Sequence, residues 1–342
     1  MHQRLADILC CPMCGGALAP SNCRSRGGRI ISAELVCGSG LHRYPVVMER
    51  PVLLPKGAVD RWLSPIDEAL GLTGAETAVP FSFPRLRELG ISSALSMLQE
   101  GELDDDAPEK GVPWNALSLV NRGLRNKASY RRSGRFLDHR GRREKLLKPF
   151  AKLPERCRLW ALQVLRAKPE SVLDIASGGG GGVSVLIRAG VKPKLLCSTE
   201  RDLRCTWTVQ RGARELGFDN LEAVGADVRR LPFDSGSFDA VTSLAALQEV
   251  LGMRRLTTEI ARVLRPGGSW FAIYSEPETW GEIGIDQYMD FAEATDMYRG
   301  HHALLETARQ AGLYTEAVQE CGAVRNGRHV RYWITEFTLP TR

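Results

Sequence analysis

The chain has 342 residues, 43% hydrophobic and 25% charged, with a formal net charge of +6. These values describe an ordinary globular chain of two or three domains, and no run of about 18 apolar residues offers a membrane-spanning helix. The opening stretch MHQRLADILC lacks the apolar core of a secretory signal, so a reducing, cytoplasmic setting is expected, where clustered cysteines bind metal more often than they pair.

Residues 1–55 form the first predicted module. Five of the nine cysteines fall within residues 10–37. Cys11-x-x-Cys14, then 22 residues, then Cys37 and His42 supply a Cys3His set of the kind that holds structural zinc. A small domain with little core gains stability from such a metal. Cys10 or Cys23 could stand in for one of the four, and a ribbon that has lost its metal is the competing reading. "YPVVMERPVLLP" reads as a strand, a turn and a short strand. Cys157, Cys197, Cys205 and Cys321 are scattered and read as ordinary thiols.

Residues 56–150 form a connecting region of mixed short helical patterns. It contains the acidic stretch "QEGELDDDAPEKG", a solvated loop, and a basic segment over 122–148. That segment holds 11 Lys and Arg against Asp138 and Glu144, a surplus larger than the charge of the whole chain. Clustered side chains such as Arg140, Arg142 and Arg143 could grip nucleic-acid phosphates; a solvated linker helix, "GRREKLLKPF" stopped near Pro149, is the plainer alternative.

From residue 151 to 342 strands alternate with helices, the pattern of a mostly parallel sheet covered on both faces. "SVLDIA" (171–176), "KLLCSTE" (194–200), "LEAVGAD" (221–227), "FDAVTSL" (238–244) and "SWFAIYSE" (269–276) read as strands, and "HVRYWITEFTL" as a longer last one. "VSVLIRAG", "LRCTWTVQRGARELG", "LTTEIARVLRPGG" (with a Pro-Gly-Gly stop) and "HHALLETARQAGL" read as helices.

The first of these strands ends at Asp174 and runs into a glycine tract, where an open parallel sheet places its ligand. A dinucleotide fingerprint would need a further glycine where Val183, Ser184 or Val185 stands, so that reading fails. What remains is Asp174-x-Ala176-x-Gly178-x-Gly180. With "STERD", "GADVRRLPFDSGSFDAV" and "EIARVLRPGG" in the same order, the segment 155–339 resembles the class I S-adenosylmethionine-dependent methyltransferases. The resemblance implies a Rossmann-like α/β fold with a seven-stranded sheet. It also implies a cofactor site of Asp174, Ala176, Gly178, Gly180, Glu200 on the ribose hydroxyls, Asp227 on the adenine amino group and the adjacent Val228. No catalytic base is identifiable; Tyr274, Glu276, His301 and His302 fall near where an acceptor would sit.

The N-terminal stretch "LADILCCPMCGGAL … LVCGSGLHRYPVVMERPVLLP" resembles the zinc-ribbon activator subunit of RNA and protein methyltransferases. It is also similar to the N-terminal finger of large-subunit rRNA guanine-N1 methyltransferases, whose fourth ligand is a His shortly after the third Cys. The expected fold is therefore a small zinc ribbon followed by a methyltransferase domain, with S-adenosylmethionine and a structural zinc. An RNA base is the first acceptor expected, with nucleic-acid contact through 122–148. A small molecule or peptide is the alternative, and a non-catalytic cofactor-binding module the third reading.

Overall fold

Short apolar runs between turn residues become the buried centre of one sheet. In the computed structural model, residues 1–47, 49–54, 149–200, 206, 209–210, 212–214, 216–247, 250, 252–276, 293, 296, 298–325 and 328–341 are described. The acidic loop and the basic segment expected within 56–148 lie outside these residues. The N-terminal module comprises α1 (Gln3–Ala6), β1 (Leu18–Arg26), β2 (Arg29–Cys37), β3 (Arg43–Val47) and β4 (Arg50–Leu53). After residue 149 follow α2 (Glu155–Ala167), β5 (Ser171–Asp174), α3 (Gly181–Ala189), β6 (Leu195–Glu200), β7 (Leu221–Ala226) and β8 (Phe238–Leu244). Then come α4 (Met253–Val263), β9 (Leu264–Ser275), α5 (His301–Gln310), β10 (Tyr314–Arg325) and β11 (Arg328–Thr338).

All eleven strands join one sheet in the order β1-β2-β3-β4-β7-β6-β5-β8-β9-β11-β10. β4 to β9 within it pair in parallel, while β11 runs antiparallel to both β9 and β10. β5 to β11 thus form the expected seven-stranded Rossmann-like α/β sheet. The strand order reverses between β5 and β8, which opens a crevice at their carboxyl ends. The N-terminal module continues the same sheet: Val52 and Leu53 pair with Gly225 and Ala226.

Strand periodicity sorts the side chains into two cores. Trp270, Ala272 and Tyr274 of β9 enter the face that also holds α4 and the N-terminal Leu5, Leu9, Leu35 and Tyr44. Phe271 and Ile273 enter the opposite face with Trp160, Val164, Val183 and Leu186. The module therefore shares its apolar core with the larger sheet. Its junction also holds Glu222, fully buried, with Arg29 Nη2 3.1 Å from its Oε1.

Two differences from the sequence reading have local causes. The Pro-Gly-Gly tract does not extend the helix end as a separate turn: α4 stops at Val263 and residues 264–268 already lie in β9. A Cβ on Gly268 would come within 2.9 Å of the Arg265 and Asp239 carbonyl oxygens, so only glycine lets this strand pass so close to β8. β10 and the β1–β2 hairpin were not expected. No helix among the described residues is long and apolar enough to cross a membrane.

Candidate functional site

β5, β6, β7 and β8 are parallel, so their carboxyl ends bring Asp174, Glu200 and Asp227 to one edge of the sheet. Asp174 is 1% exposed. Its Oδ1 accepts a hydrogen bond from Thr242 Oγ1 at 2.8 Å, donated across the β5–β8 pairing, while its buried Oδ2 has no partner. Burial pushes this carboxyl up to about 6, with the nearby Glu200 adding to the shift and the hydroxyls of Thr242 and Ser177 opposing it. Thr242 was missed in the sequence because it stands 68 residues from its partner.

The loop after β5 wraps this carboxylate. Ala176, Gly178 and Gly180 take φ values of +48°, +50° and +87°, so the alternating small residues answer a backbone that visits the left-handed region three times. Ala176 does so with a Cβ, at a cost of about 1 kcal/mol. Gly178 donates its N–H to Glu200 Oε2 at 2.9 Å, and Ser198 Oγ donates to Ser177 Oγ at 2.9 Å. Gly182 has a role that the spacing did not reveal: a Cβ there would meet Asp174 Oδ1 at 2.9 Å and Oδ2 at 3.2 Å. The first turn of α3 therefore sits directly against the carboxylate, and helix N-termini favour negative charge.

Asp227 is held by a neighbouring side chain. The Arg229 guanidinium grips its carboxylate, with Nη2 donating to Oδ2 at 2.8 Å and Nε lying 3.1 Å from both oxygens. The Arg229 backbone N–H adds a bond to Oδ1 at 2.9 Å. A ligand amine arriving at Asp227 must share that carboxylate with Arg229. Val228 beside it is buried.

At the end of β9, three of the four acceptor-side candidates meet. Glu276 Oε1 accepts from Trp333 Nε1 at 2.6 Å, and both its oxygens lie within 3.4 Å of the His301 N–H. The His301 ring stacks on Trp333, centroids 4.0 Å apart. Its Nδ1 lies 2.8 Å from Tyr274 Oη, which is 2.6 Å from Thr335 Oγ1. Burial, and then His302, lower the His301 value to about 4, so the ring is neutral at pH 7. His302 itself is exposed. Trp333 was not anticipated.

Cys11, Cys14, Cys37 and His42 converge, with their ligand atoms all within 4.8 Å of one another. The knuckle turn closes through Cys11 N–H to Gly16 O and Gly15 N–H to Cys11 O, both 2.8 Å. Cys37 N–H donates to His42 O at 2.9 Å, closing the other half. The hydroxyl and amide of Ser39 hold the Cys37 thiol down at about 6, which favours the thiolate that binds metal. Tyr44 Oη sits 3.3 Å from Cys11 Sγ. Three sulfurs and an imidazole form a donor set suited to zinc. Cys10 is buried and turned into a bridge with Ala17, its thiol pushed up to about 11 by burial. Cys23 is exposed on β1. Neither belongs to the cluster.

Part of the chain is similar to known proteins. The demethylmenaquinone methyltransferase of Clavibacter sepedonicus is 37% identical over 115 residues, 32% of this chain and 44% of that protein. The phthiotriol/phenolphthiotriol dimycocerosates methyltransferase of Mycobacterium leprae is 32% identical over 123 residues, 36% of this chain and 43% of that protein. The chain thus spans less than half the length of these curated relatives. A crystal structure of geranyl diphosphate C-methyltransferase from Streptomyces coelicolor A3(2) aligns over 53% of this chain and 75% of that one, at 15% identity and a TM-score of 0.41. Residues 173–272 match the family model described as a methyltransferase domain.

Proposed function

We propose that this chain is an S-adenosylmethionine-dependent methyltransferase. The observation that carries the reading is the buried Asp174 carboxylate at the reversal of strand order, with Oδ1 satisfied and Oδ2 without a partner. That oxygen suits a cationic ligand with N–H donors, and Glu200 and Asp227 at neighbouring strand ends suit the ribose hydroxyls and the adenine amine. Ala176, Gly178 and Gly180 let the ligand approach the backbone, and Val228 packs beside the ring. The cofactor supplies an already activated sulfonium methyl, so the protein mainly has to hold an acceptor nucleophile in line with it.

The acceptor we favour is a small molecule or lipid. The relatives' names point to acceptors of that kind, whereas the RNA expectation rests on the finger's resemblance and on the basic segment 122–148, which lies outside the described residues. Glu276, fixed by Trp333 and the start of α5, is the group we place on the acceptor side. We infer one structural zinc on Cys11, Cys14, Cys37 and His42.

Calorimetry with S-adenosylmethionine tests the cofactor site, and labelled-methyl transfer to small-molecule and RNA fractions tests the reaction. Glu200→Ala and Asp227→Ala should each weaken cofactor binding about tenfold, as expected for losing a charge-assisted hydrogen bond. Absence of binding by the unaltered protein would overturn the reading.

A further inference from the structure

The described strands leave the sheet two outer edges, β1 and β10, and these are finished differently. An outer strand presents N–H and C=O groups that can pair with another strand, and proteins blunt such edges with proline, cationic side chains and breaks in register. β1 has all three. Pro20, Arg24 and Arg26 lie along it, Asn22 takes a φ of +51°, and its register on β2 shifts between Ser21 and Arg24 and again between Arg24 and Ser25. β10 has one irregularity, near its start between Thr315 and Ala317, and from Ala317 to Arg325 it pairs with β11 without a break. That stretch, AVQECGAVR, contains no proline, and its one cationic residue is the last.

Exposed apolar side chains gather on the same strand. Of the four large hydrophobics exposed among the described residues, three belong to β10: Tyr314, Val318 and Val324. Val318 and Val324 are 42% and 66% exposed. They are six residues apart in unbroken strand, so both point to one face, with Glu320 and Gly322 between them. Cys321 and Ala323 point the other way and pack against the apolar core.

We propose that β10 pairs with β10 of a second copy of this chain, antiparallel, about a two-fold axis beside Cys321. A two-fold that joins two sheets edge to edge stands perpendicular to them, so both copies keep the same face up. Only residues of that shared face can then stand opposite one another, and the possible registers differ by which residue the axis passes. An axis at Val318 sets Glu316 against Glu320 of the other copy, and one at Gln319 sets Val318 against Glu320. An axis at Glu320 sets that carboxylate against its own copy, and one at Gly322 sets Glu320 against Val324. With the axis at Cys321, Val318 meets Val324 of the other copy twice, Gln319 meets Ala323, and each Glu320 meets Gly322. This register alone of the five buries both valines against each other and opposes no like charges, which cross-strand pairing favours. The strand is complementary to itself, so the occupant that fits it is a second copy.

Sedimentation velocity of the full chain, over a wide range of concentration, should show a reversible dimer. Val318→Lys and Val324→Glu should each weaken the association about tenfold, because each sets a charge against a valine on both sides of the axis. The two together should restore it to within about threefold of the unaltered chain, since the new charges then stand opposite each other twice. Both positions are exposed in the single chain, so neither change disturbs the core, and circular dichroism checks that the fold is kept. A chain that stays monomeric throughout, a dimer indifferent to Val318→Lys, or a double variant no better than the single ones would overturn the proposal. Cofactor binding is read separately by calorimetry, so this proposal and the methyltransferase reading fail independently.

Discussion

Replacing Asp174 by Asn should stabilise the cofactor-free protein while emptying the proposed cofactor site. Burial lifts the carboxyl from 3.8 to about 6. An acid whose folded value is raised favours folding below its unfolded value, and that contribution is lost as pH rises through the folded value. The window therefore runs from about pH 4 to pH 7, and about 2 units at 1.36 kcal/mol each make ionised Asp174 cost about 3 kcal/mol above it. The amide removes that cost. Its oxygen can keep the bond from Thr242, but its nitrogen replaces the unpartnered Oδ2 with an unpartnered donor, at about 1 kcal/mol. The net gain is about 2 kcal/mol at neutral pH. Urea unfolding of the cofactor-free Asp174→Asn variant and the unaltered protein measures it. The stability difference should climb from zero or below at about pH 4.5 to about 2 kcal/mol at about pH 7.5, while calorimetry shows cofactor binding lost. A difference that stays flat across the window, or a variant less stable at neutral pH, would refute the assignment of the orphan oxygen.

Three further outcomes follow from the same geometry. Thr242→Val removes the hydroxyl that opposes the Asp174 shift, so cofactor affinity, which should rise with pH through about 6 as Asp174 ionises, should keep that form with its midpoint about one unit higher in calorimetric titrations. Ala176→Gly relieves the left-handed strain and should stabilise the protein by up to about 1 kcal/mol in urea unfolding, without weakening the cofactor; a loss of stability would contradict the strained geometry. Metal analysis should find about one zinc per chain, lost with Cys37→Ser, and a chelator should lower the unfolding temperature. A protein that is metal-free and unaffected by chelator would remove the zinc assignment.

The parts legible from sequence were those in which one local pattern carried the information. β5 to β9 are short buried runs bounded by turn residues, and Asp174, Glu200 and Asp227 were identifiable as strand-end or near-end carboxylates by spacing and resemblance. β10 escaped because it is an outer strand whose Tyr314, Val318 and Val324 face solvent among polar residues, so neither a buried run nor an inward-facing alternation marks it. β1 escaped similarly, since seven of its nine residues at the polar sheet edge are exposed, Cys23 among them; the Gly27-Gly28 turn, with φ of +58° and +74°, was the available signal. Thr242, Arg229 and Trp333 matter through what they touch in space, and Gly182 through what its missing Cβ avoids. No periodicity encodes such partnerships, whether 68 residues apart as in Thr242 with Asp174 or two apart as in Arg229 with Asp227.

The parallel pairing of β4 with β7 has a consequence for synthesis. Arg50 reaches across to Gln210, 160 residues later, and the β4 seam closes on residues 225 and 226. At roughly 5 to 20 residues per second, the N-terminal module leaves the ribosome about 10 to 30 s before its partner strand exists. During that interval Leu5, Leu9 and Leu53 lack the part of the shared core that the later strands supply. A metal clip that organises the knuckle and hairpin early would shorten the exposed list and keep β4 available. On this account the proposed zinc would act first as a timekeeper for the nascent chain, and only afterwards as a fixture of the finished fold.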